Sequence, residues 1–239
     1  MYTGAVALID ALGFRGIWGR HDAEVVLSEL RTMKDWMEGR IRDQFSSQPW
    51  MQCDVAFLSD TIAVSMALSE STKDRAALSA VYLGDVISWV LDRVLRSKVP
   101  LAYRGVIAVG HYEVSPHFLI GQAIDEAAGA RDLAQGAFVW LTPNARDEVA
   151  LWLKDQPHNT HLVKFDVPIK GGDTFNTYTV SPLEQARGEE DANRQTRTLL
   201  GTFSSSSMGV AIKRQNTARH LRACYEYRNF KFPADMSAL

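Results

Sequence analysis

Apolar positions along this chain switch between a period of two and a period near 3.6, and the switches mark out its elements. Residues 3–10 form an apolar, β-prone run that ends abruptly in the carboxylate of Asp10. His21-Asp22 then starts a helix, and Val26, Leu30, Met33, Met37 and Ile41 recur at helical spacing through about residue 45. A polar loop from Gln44 to Pro49 leads into a hairpin over about residues 51–67, whose apolar strands flank Ser59-Asp60. Ser69 to Lys73 reads as a polar turn with a helix cap at Ser71 or Thr72. The long amphipathic helix that follows carries Leu78, Val81, Tyr82, Val86, Val90 and Val94 on its apolar side and ends before Pro100. A strand from Leu101 to Gly110, with Arg104 inside it, completes the order β-α-β-β-α-β, the ferredoxin-like arrangement of an α+β fold.

The second half continues the mixture. His111 to Ile120 reads as a hairpin or edge, Gly121 opens a short alanine-rich helix through Leu133, and Ala137 to Leu141 is a strand. Thr142-Pro143-Asn144 caps a helix reaching Leu153, and Pro157 to Thr160 is loop. Leu162 to Ile169 and Thr174 to Val180 form strands joined by the turn Lys170-Gly171-Gly172-Asp173. Beyond Pro182 the composition changes. Glu184 to Asp191 is acidic and helical, and Asn193 to Lys231 is basic, interrupted by Ser204-Ser205-Ser206-Ser207.

Composition narrows the function classes. A chain of 239 residues, 46% apolar and 23% charged, fits one large domain, or one domain with an extension. A net charge of −2 gives no global push toward nucleic acid or membrane. The basic, aromatic-interleaved tail is a rival nucleic-acid surface, but a solvated helix face is the simpler expectation. Cys53 and Cys224 have neither metal spacing nor disulfide density, so they read as reduced cytoplasmic thiols. The apolar start lacks a basic leader and is read as a strand, and no apolar run approaches the roughly 20 residues of a membrane span. His21, His111, His117, His158, His161 and His220 are scattered, and no Gly-x-Ser-x-Gly turn exists.

Two features carry candidate chemistry. Asp10 and Asp60 each sit at the end of an apolar strand, held at the edge of the core yet accessible. Either residue alone reads as a turn cap. Together they suit Mg²⁺, which takes one or two carboxylates plus substrate phosphates. Arg104, inside a strand, reads equally as a structural ion-pair partner or a phosphate ligand, and Lys170 in its turn as a solvated charge.

These residues stand in an order that resembles the class III nucleotidyl cyclases, over about residues 3–180. Asp10-Ala11-Leu12-Gly13-Phe14 matches the family's Asp-x-x-Gly-Phe, and Ser59-Asp60 matches its hairpin Gly-Asp. Arg104-Gly105 through Gly110 loosely matches Arg-x-Gly-x-x-x-Gly, and Ile169-Lys170-Gly171 followed by Thr177-Tyr178 matches Val-Lys-Gly and its Thr-Tyr strand. The resemblance implies a cyclase catalytic domain over residues 1–182 and a helical C-terminal extension over 183–239. It implies two Mg²⁺ or Mn²⁺ ions on Asp10, Asp60 and the carbonyl of Ala11, and a phosphate cradle of backbone N–H groups from Leu12, Gly13 and Phe14. Arg104 and Lys170 would neutralise the β- and γ-phosphates, in a homodimer whose sites form between subunits.

The departures from the family carry information too. The family's adenylate cyclases read adenine with a lysine and an aspartate where this chain has Ala56 and Phe118. Asp125 stands for the family's helix asparagine, and Gly129 for its transition-state arginine; Arg131 lies about 200° further around an ideal helix. Loss of the purine contacts with retention of the metal and phosphate positions also resembles the cyclases of the bacterial antiphage systems called Pycsar. That resemblance implies UTP as substrate and cyclic UMP as second messenger, with CTP as the alternative. A degenerate nucleotide sensor without catalysis is the other expectation.

Overall fold

β1 (Tyr2–Leu12) is the spine of the molecule: it pairs antiparallel with β3 (Thr61–Leu68) on one side and β4 (Ala102–Ser115) on the other. The computed structural model describes residues 1–14, 16–58, 60–115, 118–155, 161–203 and 207–236. Ser59, His117, His158, the 157–160 loop and residues 204–206 of the serine run lie outside the described residues. With β2 (Met51–Leu58), β5 (Phe118–Ile120), β6 (Val139–Leu141), β7 (Leu162–Pro168) and β8 (Thr174–Val180), the sheet has eight strands. Their order is β2-β3-β1-β4-β6-β8-β7, with β5 paired to the far end of β4. The first four strands with their two helices form the expected ferredoxin-like unit, and β4–β6 is the parallel contact in an otherwise antiparallel sheet.

Gly4 through Ile9 are buried on both faces, so β1 reads as a continuous apolar run rather than an alternating one. Its odd positions Ala5, Ala7 and Ile9 pack under α1 (Ala23–Phe45), α2 (Arg75–Leu95) and α4 (Pro143–Leu153). Its even positions Val6 and Leu8 share the opposite face with Val106, Ala108 and the alanine stripe of α3 (Gln122–Ala130). Since successive side chains alternate, Asp10 and Arg104 project on that second side.

Element boundaries shift where local chemistry overrides the pattern. Asp22 caps α1 as expected, accepting from the Glu24 N–H at 2.8 Å. The start of α2 is not capped by Ser71 or Thr72; its N-cap is Asp74, left-handed at φ 55° and without a side-chain cap bond. The serines and Thr72 instead bond one another through Ser69 Oγ. α3 stops at Ala130 rather than Leu133, because the chain turns there toward β6. The acidic stretch is helical only from Glu189, the start of α5 (Glu189–Gly201), since Gly188 at φ 108° sets the entry. Ser207 then caps α6 (Met208–Tyr227).

The C-terminal helices share an apolar cluster with the sheet. Leu199, Leu200, Leu221, Cys224 and Tyr225 pack with Leu95, Ala102, Ala137 and Val163. His220, fully buried and 2.8 Å from the Thr179 hydroxyl, is held neutral by desolvation, which drops its pKa to about 3. α5 is tied down by Asp191, whose carboxylate accepts from Arg96 at 2.5 and 3.1 Å, from the Arg187 N–H at 3.0 Å and from Arg194. Hydrogen bonding from Arg96 outweighs burial and holds this carboxyl well below the usual range. Its stabilisation is therefore complete above the ordinary carboxylate pKa, begins to fall there, and is lost only as pH drops through the depressed folded-state value.

Asp191→Ala should destabilise the protein by about 2–3 kcal/mol at pH 7, at or below the bottom of the range for a broken buried pair because Arg96 is partly exposed. Urea melts at pH 7 and pH 3 check this: the difference between wild type and variant should shrink at the lower pH.

Candidate active site

The ladder across β3, β1 and β4 sets Asp10 directly opposite both Thr61 and Arg104. The Thr61 hydroxyl donates to Asp10 Oδ1 at 3.1 Å, and Arg104 Nη2 stands 3.8 Å from Asp10 Oδ2. Asp60 closes the β2–β3 hairpin, where its carbonyl accepts from the Ala11 N–H at 3.1 Å. The two strand-end aspartates are thus neighbours, and the charge of Asp60 acts on Asp10. Burial pushes the Asp10 carboxyl above its usual range; the Thr61 hydrogen bond opposes this, Asp60 adds to it, and Arg104 and Arg131 oppose it.

After Asp10 the chain turns through Gly13 at φ 73°, a conformation that suits glycine. Arg20 Nη2 donates to the Gly13 carbonyl at 2.8 Å and pins the turn from the far side. Leu12 and Phe14 are half-buried, and Phe14 packs edge-on against Trp18. This brings the cradle residues next to the aspartates, at the end of β1 and in the turn that follows it.

Arg104 has a nearer partner that the sequence reading did not single out. Its guanidinium donates to Asp132, just past α3, while its Nε is buried without a partner. Arg131, at the C-cap of α3, sends its charge toward Asp10 although Gly129 on the same helix is exposed. Asp125 is exposed on the first turn of α3. Lys170 is exposed in the β7–β8 turn, whose backbone is fixed where the Lys170 N–H donates to the Leu133 carbonyl at 2.8 Å. Ala56 lies half-buried against Ala63 on the same face as Asp10. Phe118 is 68% exposed at the far end of β4, so these two positions are not brought together within one chain.

Thr61 and Asp132 adjoin Asp60 and Arg131 in the sequence, but strand register and the turn after α3 are what bring them to the site. Among the described residues, no group of three or more His, Cys, Asp or Glu side chains could hold a metal ion. An ion at this site must draw on two carboxylates and on main-chain or substrate oxygens. That donor set fits Mg²⁺ or Mn²⁺ and excludes a closed structural zinc centre.

No family model matches the chain, and no curated protein does. Solved structures do match. The catalytic core of a rhodopsin-guanylyl cyclase with converted specificity, in complex with ATPalphaS, superposes with a TM-score of 0.50 at 16% identity, over 75% of this chain and 95% of that one. Adenylate cyclases from Trypanosoma brucei in their monomeric state reach 0.48 at 15% identity, over 77% and 92%. An adenylate/guanylate cyclase/hydrolase from Silicibacter pomeroyi reaches 0.44 at 14%, over 74% and 94%. Resting on the first of these, the chain has the fold of class III adenylate and guanylate cyclase catalytic domains.

Because its folded pKa is raised, ionised Asp10 is disfavoured in the fold relative to the unfolded chain, so its contribution to stability falls as pH rises through the acid range. Asp10→Asn should therefore melt slightly higher than wild type at pH 7 in the absence of divalent ions. Differential scanning calorimetry should show the gain fading as pH falls below about 4, where the wild-type side chain is also protonated.

Proposed function

We propose that this protein is a pyrimidine nucleotide cyclase that converts UTP to cyclic UMP and pyrophosphate. The observation that carries the reading is Asp10, set across one ladder from Arg104, with the Asp60 charge beside it. In the reaction the ribose 3′-oxygen bonds to the α-phosphorus, the α-phosphorus bond to the bridging oxygen breaks, and pyrophosphate leaves. Such a displacement needs positioning and charge neutralisation more than covalent help.

Asp10, Asp60 and the Ala11 carbonyl would hold Mg²⁺ or Mn²⁺, which supplies charge neutralisation at the attacking and leaving oxygens. The raised pKa of Asp10 supports this assignment: its surroundings under-compensate a carboxylate that is nevertheless kept at a strand end. The proton lost by the 3′-hydroxyl would go to solvent or to a phosphate oxygen, since a carboxylate that holds a divalent cation stays ionised. Backbone N–H groups of Leu12, Gly13 and Phe14 would bind phosphate oxygens, and Arg104 and Lys170 would meet the β- and γ-phosphates. Arg131, whose charge reaches Asp10, is the cation on hand near the position left open by Gly129. Neither Ala56 nor Phe118 carries the polar group with which the adenylate cyclases this chain resembles read a purine, which supports a pyrimidine. The resemblance to the Pycsar enzymes favours uracil over cytosine, and supports a second-messenger role in antiphage defence.

Residues 1–182 serve as the catalytic domain and 183–239 as a helical extension in this reading. The active form is a head-to-tail homodimer. Its support is the exposure of apolar Leu58, beside Thr61, and of Trp18, against Phe14, where a second subunit would close the site. No described helix is long and apolar enough to cross a membrane, and the reading places the enzyme in the cytoplasm.

Incubation with ATP, GTP, CTP and UTP separately in Mn²⁺, with products identified by mass, tests the assignment. Cyclic UMP should form, and Asp60→Asn should lower the yield by about 100-fold or more. A purine product would overturn the pyrimidine reading, and tight nucleotide binding without pyrophosphate release would replace the enzyme with a sensor. Specific activity should fall on dilution as the dimer dissociates; a fully active dilute monomer would remove the shared site.

A further inference from the structure

α6 turns one face inward, and the residues on it recur at helical spacing: Asn216, Thr217, His220, Leu221 and Cys224 are all buried. Lys213 continues that stripe one turn toward the N-terminus, where it is partly buried. A lysine on the inward face of a helix needs a reason, because burying an ammonium costs free energy. The surroundings make it less expected still, since they are cationic.

The helix is locked over the segment 131–138 that follows α3. Asn216 donates to the Gln135 carbonyl at 2.7 Å, and Thr217 Oγ1 accepts from the Ala137 N–H at 2.9 Å while donating to the Lys213 carbonyl at 2.7 Å. The same segment anchors the site's other cations. Asp132 takes Arg104, the Leu133 carbonyl takes the Lys170 N–H, and the Phe138 carbonyl takes the N–H of Gly105. The helix that carries Lys213 thus docks on the stretch that holds Asp132 and anchors Arg104 and the Lys170 turn, and the charges of all three residues act on Lys213. Burial, then Arg104, then Lys170 lower the pKa of Lys213, and the opposing charge of Asp132 does not cancel them.

We infer that Lys213 is a further phosphate-binding residue, so that α6 forms one wall of the polyphosphate site. Three cations against Asp132 and Asp10, both of which face Arg104, leave an excess of positive charge, and a polyanion of the triphosphate class is the ligand that balances it. The inference rests on the nucleotide reading of Arg104 and goes beyond it by making the C-terminal helix part of the binding surface.

Titration calorimetry with inorganic tripolyphosphate, without divalent ions, tests this directly, using Lys213→Met and Lys213→Arg. Methionine keeps the aliphatic packing and removes the charge. Lys213→Met should weaken binding roughly 10- to 100-fold, as for loss of a charge-assisted hydrogen bond, and Lys213→Arg should retain most of it. The ligand-free Lys213→Met protein should melt at or above the wild-type temperature, because like-charge repulsion is relieved. A merely structural lysine would lower the melting temperature and leave affinity unchanged, and that pair of results overturns the inference while sparing the cyclase reading. If wild type binds no tripolyphosphate without divalent ions, the inference fails; if it also binds no UTP once Mn²⁺ is added, the nucleotide reading fails with it.

Discussion

The antiparallel pairing of β1 with β4 is the constraint on which the rest depends. Its register puts Asp10 across from Arg104, and one slip would send either side chain to the wrong face of the sheet. Gly105 makes the pairing possible at this point. A Cβ there would lie 2.2 Å from the Leu8 carbonyl and 2.7 Å from Ile9 Cα, so no larger residue fits beside Arg104. The glycine after Arg104 is thus a packing requirement as well as part of a sequence pattern. Buried Val6, Leu8, Val106 and Ala108 hold the same register from the second face, and Ile9 and Ile107 from the first. Charges of both signs are fixed by an apolar ladder that neither of them stabilises.

That division explains what could be read in advance. β1, α1, the hairpin, α2 and β4 were legible because long apolar runs with clear periods decide them, and tertiary context agrees with local preference. The cap of α2 was misread because Ser69, Ser71 and Thr72 satisfy one another, leaving Asp74 to enter the helix from a left-handed conformation. α5 was begun too early because acidic residues before Gly188 look helical by composition, while the glycine sets the backbone. The aspartates, Arg104 and the Gly13 turn were legible because each sits at the end of an element or inside a recognisable spacing. Asp132, Thr61 and Lys213 were not, since their positions follow from strand register and helix docking rather than from any local pattern.

Lys213 shows the limit most clearly. In the sequence it is one of several basic residues in a tail, and a solvated helix face is the natural reading. Other cations of that tail do settle into ordinary roles: Arg228 binds Glu184 and covers Phe230, and Arg222 stacks on Phe232. Only the docking of Asn216 and Thr217 on Gln135 and Ala137 reveals that Lys213 faces inward.

The segment from Arg131 to Phe138 then takes on a meaning beyond connection. It receives α6 on one side and β4 on the other, and it also carries the main-chain acceptor that holds the Lys170 turn. Its one internal carboxylate, Asp132, occupies the guanidinium of Arg104. An arriving polyphosphate would therefore exchange Asp132 for phosphate oxygens at Arg104. The swap loses one charge-assisted hydrogen bond and gains others, so net affinity would be set by how many cations the anion reaches at once. With Arg104 alone the exchange is close to neutral. In the proposed site, Lys170 and Lys213 reaching the same anion would make it favourable, and for that a helix from the end of the chain has to pack against the sheet that begins it.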